Sequence, residues 1–185
     1  MEKGKTGSMR MVNKFLMLNE EELAENLLSV IKNSEDIDKP SKLNIYLAGP
    51  WFTPSGNLLY NAVMSIERNV RKNSCFKVFY PREQVSKTPL DAFTNNVNHI
   101  NECDIVVALV SEKDVGTAWE IGMAHALGKD IYLMGYDEST FLSHTNVMLA
   151  FTGKCFTIDK WAKFLTKGLR GSEYVTIPNT WEGIE

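Results

Sequence analysis

The chain has 185 residues, of which 44% are hydrophobic and 23% charged, with a net charge of −3; this is the balance of a soluble globular protein with one ordinary core. It excludes a disordered chain and a disulfide-dense scaffold, and it gives no electrostatic footprint for binding a nucleic acid polymer. No apolar run approaches the roughly 20 residues that span a bilayer, and residues 1–19 lack the apolar stretch of a signal peptide. Cys75, Cys103 and Cys155 have the spacing of neither a zinc site nor a disulfide framework, so a cytoplasmic protein with reduced thiols and no membrane contact is expected.

Residues 1–18 show no sustained period and read as a mobile tail. Asn19-Glu20-Glu21-Glu22 resembles a capping box, and Leu23, Leu27, Leu28 and Ile31 follow at helical spacing, which predicts a helix to about Asn33. Residues 34–42, with Pro40, read as a linker, so 1–42 form an appendage and 43–185 the main domain. Within that domain, strands are predicted at 43–47, 75–80, 104–110, 130–135 and 154–158, and helices at 57–71, 89–103, 117–127 and 160–169. Ile105 to Val110 is wholly apolar and rich in β-branched residues, the composition of a strand covered on both faces. Alternating strands and helices imply an α/β fold with a mostly parallel sheet flanked by helices. Ligands bind such sheets beyond the carboxyl ends of the strands, which directs attention to the loops at 48–56, 81–88 and 111–117.

The first loop, AGPWFTPSG, carries neither a dinucleotide fingerprint nor a Walker sequence and has no Lys or Arg, so a polyphosphate site is not expected there. It reads either as a tight turn with a hydrophobic anchor or as a backbone-lined pocket with Trp51 and Phe52 against a flat ring. The third loop runs into DVGTAWEIGMAHALGK at 114–129. Thr117 is a natural N-cap with Glu120 three residues on, so Glu120 can serve a capping box. It can equally stand in the first helical turn as an ionised carboxylate facing the ligand crevice, competent to attack a sugar's anomeric carbon.

The segments IYLAGPWF at 45–52, DIVVALV at 104–110 and DVGTAWEIGMAHALGK at 114–129, with Asn146-Val147-Met148 after them, resemble the nucleoside 2-deoxyribosyltransferase family in order and spacing. The resemblance spans about residues 43–153. It implies a flavodoxin-like sheet, here with an extra N-terminal helix, and transfer of 2-deoxyribose between nucleobases through a covalent deoxyribosyl-glutamate ester. On that resemblance the catalytic set is Glu120 as nucleophile, Tyr46 as its hydrogen-bond donor and Asp114 beside the sugar. Gly49, Trp51, Phe52, Gln84, Asn96, Gly116, Asn146 and Met148 are the substrate-binding candidates. Asn146 is expected to reach the site of a neighbouring subunit, which implies a homo-oligomer. The implied partners are a deoxynucleoside and a free nucleobase, with no cofactor and no metal.

One position departs from the family pattern. Asn96 stands where an aspartate usually faces the base, and an amide cannot release a proton as an acid does. His99 and Asp91, on the same predicted helix, are candidates to substitute for it. Two further readings share the same pocket: hydrolysis of a deoxynucleoside or its monophosphate, and silent nucleotide binding.

Overall fold

The computed structural model describes residues 42–143 and 146–177; the N-terminal capping box and the helix expected to about Asn33 lie outside them. Five strands, β1 (Leu43–Ala48), β2 (Phe76–Phe79), β3 (Ile105–Leu109), β4 (Asp130–Gly135) and β5 (Lys154–Thr157), form one sheet in the order β2-β1-β3-β4-β5. All four strand pairs are parallel, as the continuous apolar strands require. The helices are α1 (Pro54–Val70), α2 (Pro89–Glu102), α3 (Val115–Ala126), the short α4 (Ser139–Ser143) and α5 (Val147–Ala150), and α6 (Trp161–Lys167). No described helix is long and apolar enough to cross a membrane.

Strand alternation divides the core into two layers. Ile45, Leu47, Ile105 and Val107 face one way and pack with Leu59 and Val63 of α1 and Phe164 of α6. Tyr46, Ala48, Val106 and Ala108 face the other way, toward Ile100 of α2 and Ile121 and Ala124 of α3. Neighbouring residues of β1 therefore serve opposite sides of the sheet, and Tyr46 is fully buried on the α2–α3 side.

Two helix starts differ from the sequence reading. α1 begins at Pro54 rather than Asn57, because Thr53 accepts the Gly56 amide at 2.9 Å and proline is well suited to the first helical position. The turn is tight: a Cβ on Gly56 would stand 1.7 Å from the Pro50 carbonyl oxygen. α3 begins at Val115, capped by Asp114 rather than Thr117; Asp114 Oδ2 accepts from Thr117 N at 2.6 Å and Thr117 Oγ1 at 2.7 Å. Glu120 is consequently released from capping and lies beyond the first turn, where the helix dipole acts less strongly.

Candidate active site

β1 and β3 are neighbours in the sheet, while α1 and α3, which follow them, cover opposite faces. This is the switch point at which parallel sheets open a crevice at their carboxyl ends. Tyr46 projects from β1 beneath α3, and its hydroxyl donates to Glu120 Oε1 at 2.5 Å, the short distance of a charge-assisted bond. Burial raises the Glu120 carboxyl to about 7, Asp114 adding to the rise and the Tyr46 bond opposing it. Burial, and then the Glu120 carboxylate, push the Tyr46 phenol far above its ordinary range, so it remains a donor at any working pH. The expectation that the helix terminus favours an ionised Glu120 is thus corrected: desolvation dominates, and the carboxylate is poised near neutrality.

Aromatic rings meet on the same α2–α3 side of the sheet. Phe79 stacks on Tyr46 with centroids 5.7 Å apart, and half-buried His99 of α2 stacks on Phe79 at 3.5 Å. Phe93 of α2 meets Trp119 of α3 at 5.5 Å with tilted rings, both about half exposed. Asn96, half-buried, lies on the α2 stripe between Phe93 and Ile100. Asp91, a candidate to replace the missing acid, is instead committed to a capping box, in which it accepts the Thr88 amide at 3.1 Å.

Other candidates lie elsewhere. Asn146 and Met148 line a groove of about 520 Å³ with Asp114, Thr117, Ala118 and His125. By helical spacing that groove runs along the flank of α3 opposite to Glu120, the buried Thr117–Ile121–Ala124 stripe lying between them. Asn146 is exposed, and its Oδ1 accepts the Met148 amide at 2.9 Å. Trp51 is packed into the α1–α6 core layer, against Gly49 and edge-on to Tyr60, while Phe52 is 92% exposed. Neither therefore stands with Tyr46 as a stacking wall. Gln84 is exposed after a short turn, and Gly116 is exposed beside the Asp114 carboxylate. Among the described residues, no group of three or more His, Cys, Asp or Glu side chains converges as a metal site.

A family model described as nucleoside 2-deoxyribosyltransferase matches residues 45–169, well over half of the chain. The chain belongs to the nucleoside 2-deoxyribosyltransferase family. Family membership places its chemistry at the N-glycosidic bond of a nucleoside. A 2-deoxyribosyltransferase from the bacterium Bacillus psychrosaccharolyticus is 24% identical, with a TM-score of 0.56 over 71% of this chain and 99% of that one; this likeness shows the shared fold. A deoxyribosyltransferase from Leishmania mexicana is 23% identical, with a TM-score of 0.45 over 72% of this chain and 79% of that one. A CMP N-glycosidase from Clostridium botulinum is 17% identical, with a TM-score of 0.46 over 67% of this chain and 96% of that one. No curated protein sequence matches.

Within this deoxyribosyltransferase fold, two features escaped the sequence reading. The Phe93–Trp119 pair joins α2 to α3, two helices that no local spacing in the sequence brings together. Glu112 was passed over as a loop charge, although its carboxylate accepts from Thr53 Oγ1 at 2.9 Å and also from Ser55 Oγ. Nothing local in the sequence pairs residues so far apart.

Proposed function

We propose that the chain transfers 2-deoxyribose between nucleobases, with Glu120 as nucleophile. The observation that carries this reading is the part-buried Tyr46–Glu120 hydrogen bond at the strand switch point. The ionised Glu120 attacks the anomeric carbon; the bond to the base breaks, its electron pair leaves with the base, and a deoxyribosyl ester forms. A second base attacks the same carbon and expels the carboxylate, so two inversions give overall retention. Tyr46 orients the carboxylate oxygen, while the charge of Asp114, held in place by Thr117, is felt at Glu120. The exposed Phe93 and Trp119 rings offer flat apolar surface to a base.

The test is product analysis of the purified protein with each deoxynucleoside, with and without a second base. A new deoxynucleoside formed only with the acceptor base supports transfer. Free base released equally without acceptor replaces the reading with hydrolysis, and thermal stabilisation by nucleosides without any product replaces it with silent binding.

The position of Asn146 supports a shared site in a homo-oligomer, since it lies on the flank of α3 away from Glu120 of its own chain. Glu120→Ala and Asn146→Ala are each expected to be weakly active alone. Mixed after dissociation and reassociation as dimers, they should recover about a quarter of wild-type turnover, because random pairing gives half heterodimers with one whole site each. Activity of the mixture no greater than the average of the two variants would place Asn146 in its own subunit's chemistry.

A further inference from the structure

We propose that His99 is a positioning residue for the nucleophile: its imidazole completes a row of stacked rings that fixes the Tyr46 hydroxyl against Glu120. This deepens the transferase reading and rests on its choice of Glu120. The contacts are continuous. The His99 and Phe79 ring centroids are 3.5 Å apart with planes at 26°, and those of Phe79 and Tyr46 are 5.7 Å apart at 25°. Tyr46 then donates to Glu120 Oε1 at 2.5 Å. Tyr46 and Phe79 are register partners on neighbouring parallel strands, so their rings stand side by side on one face of the sheet.

Phe79 is the least restrained member of this row. It belongs to β2, the edge strand, and is only partly buried, whereas Tyr46 is fully buried. No described strand lies beyond β2 to hold the ring, and the face-to-face contact with His99 of α2 does so instead. Histidine suits such a half-buried place, because its ring packs as an apolar body while its polar edge tolerates water.

His99 is itself firmly mounted. It lies in the last turn of α2, where its carbonyl accepts the Cys103 amide at 2.9 Å, and Ile100 and Cys103 beside it are buried. Lys129, just past the end of α3, donates through Nζ to the Asn101 and Cys103 carbonyls at 2.7 Å each. The contacts therefore close on themselves. Glu120 on α3, Tyr46 on β1, Phe79 on β2 and His99 on α2 follow in order, and Lys129 joins α2 back to the end of α3. The same geometry counts against His99 as the acid missing at position 96: its contacts reach Glu120 only through two further rings.

Removing the imidazole leaves a void against Phe79, into which neighbours relax only in part. Phe79 then shifts, Tyr46 loses lateral support, and its short bond to Glu120 lengthens and weakens. Since that bond opposes the burial-driven rise of Glu120, the carboxyl should move further up. The other titratable groups felt at the pair are Asp114 at Glu120 and Cys103 at Tyr46, and the variants below leave both in place.

The test follows Glu120 itself, by carbon NMR of protein labelled at its glutamate carboxyl carbons, the Glu120 signal being the one lost in Glu120→Gln. It requires no turnover, and thermal melting checks that each variant folds. His99→Leu is expected to titrate at higher pH than wild type, and His99→Phe, which keeps a ring but not the nitrogens, to match wild type. With Tyr46→Phe already in place, His99→Leu should add nothing, because the row acts through the Tyr46 hydroxyl. In turnover, kcat/KM of His99→Leu should fall about 3-fold at pH 7 and recover by pH 9, while His99→Phe keeps the wild-type value. A Glu120 midpoint that stays put in His99→Leu makes the stack mere packing and overturns the proposal, as does one lowered by entering water. His99→Phe behaving like His99→Leu would assign the role to the imidazole nitrogens and overturns it too. So does an equal effect of His99→Leu with and without the Tyr46 hydroxyl. If wild type turns over no nucleoside while the titrations go as expected, the transferase reading fails and the hold of His99 on the Tyr46–Glu120 pair stands.

Discussion

Replacing Glu120 by glutamine is expected to abolish turnover and stabilise the fold at once. Glutamine keeps an oxygen to accept the Tyr46 hydroxyl but cannot form the ester, so kcat should fall by roughly 10⁴-fold. The stability change follows from burial. The Glu120 carboxyl is raised from its ordinary 4.5 to about 7, so between those values the folded protein holds a proton that the unfolded chain has released. Wild-type stability therefore falls as the pH rises through that window, by on the order of 2–3 kcal/mol once the carboxylate is fully ionised. Glutamine carries no such penalty. Melting temperatures should be higher for the variant at pH 8 and converge with wild type near pH 4. A variant no more stable at pH 8 would mean that the carboxylate is hydrated rather than desolvated.

Tyr46→Phe should act through the same group in the opposite direction. The Tyr46 bond opposes the burial-driven rise of Glu120, so removing the hydroxyl moves the carboxyl further above 7. For wild type, kcat/KM should rise with pH through about 7, the limb of a base that must be ionised. In the variant the midpoint should move upward by about a unit or more, the scale of a hydrogen bond to a charged group. Activity at pH 7 should drop roughly 10–100-fold, with partial recovery at pH 9. A uniform drop with an unmoved midpoint would assign Tyr46 to substrate contact instead of control of the nucleophile.

The sheet was legible in the sequence because β-branched apolar runs alternate with amphipathic helices, and all five strands fall where those runs do. Helix starts were less so. Both the Thr53-Pro54 and Asp114-Val115 starts involve several plausible caps within a few residues, and backbone geometry chooses between them. The choice mattered at α3: with Asp114 as the cap, Thr117 becomes its partner and Glu120 faces Tyr46 instead of its own backbone. The Tyr46–Glu120 pairing was legible through the family resemblance. Its electrostatics were not, since the balance of burial against hydrogen bonding depends on packing that no local pattern records. Trp51 shows the same limit. A tryptophan after Gly-Pro reads equally as a pocket wall or as an anchor, and alternation past the end of β1 cannot tell the two sheet faces apart.

Tyr46 and Glu120 are 74 residues apart in the chain, and they meet only when β1 lies beside β3. That pairing sets Ile45 against Ile105 and is fastened at its edge by Asp104, whose carboxylate accepts the Asn44 amide at 2.7 Å. In a sheet built wholly of parallel crossovers there is no local hairpin to nucleate it, and loop closure must come first. The Tyr46–Glu120 pair therefore forms only once that long-range strand pairing is made. On the proposed mechanism, a partly ordered form that holds the two halves separately would lack the Tyr46–Glu120 pair and carry no stray reactivity toward nucleosides.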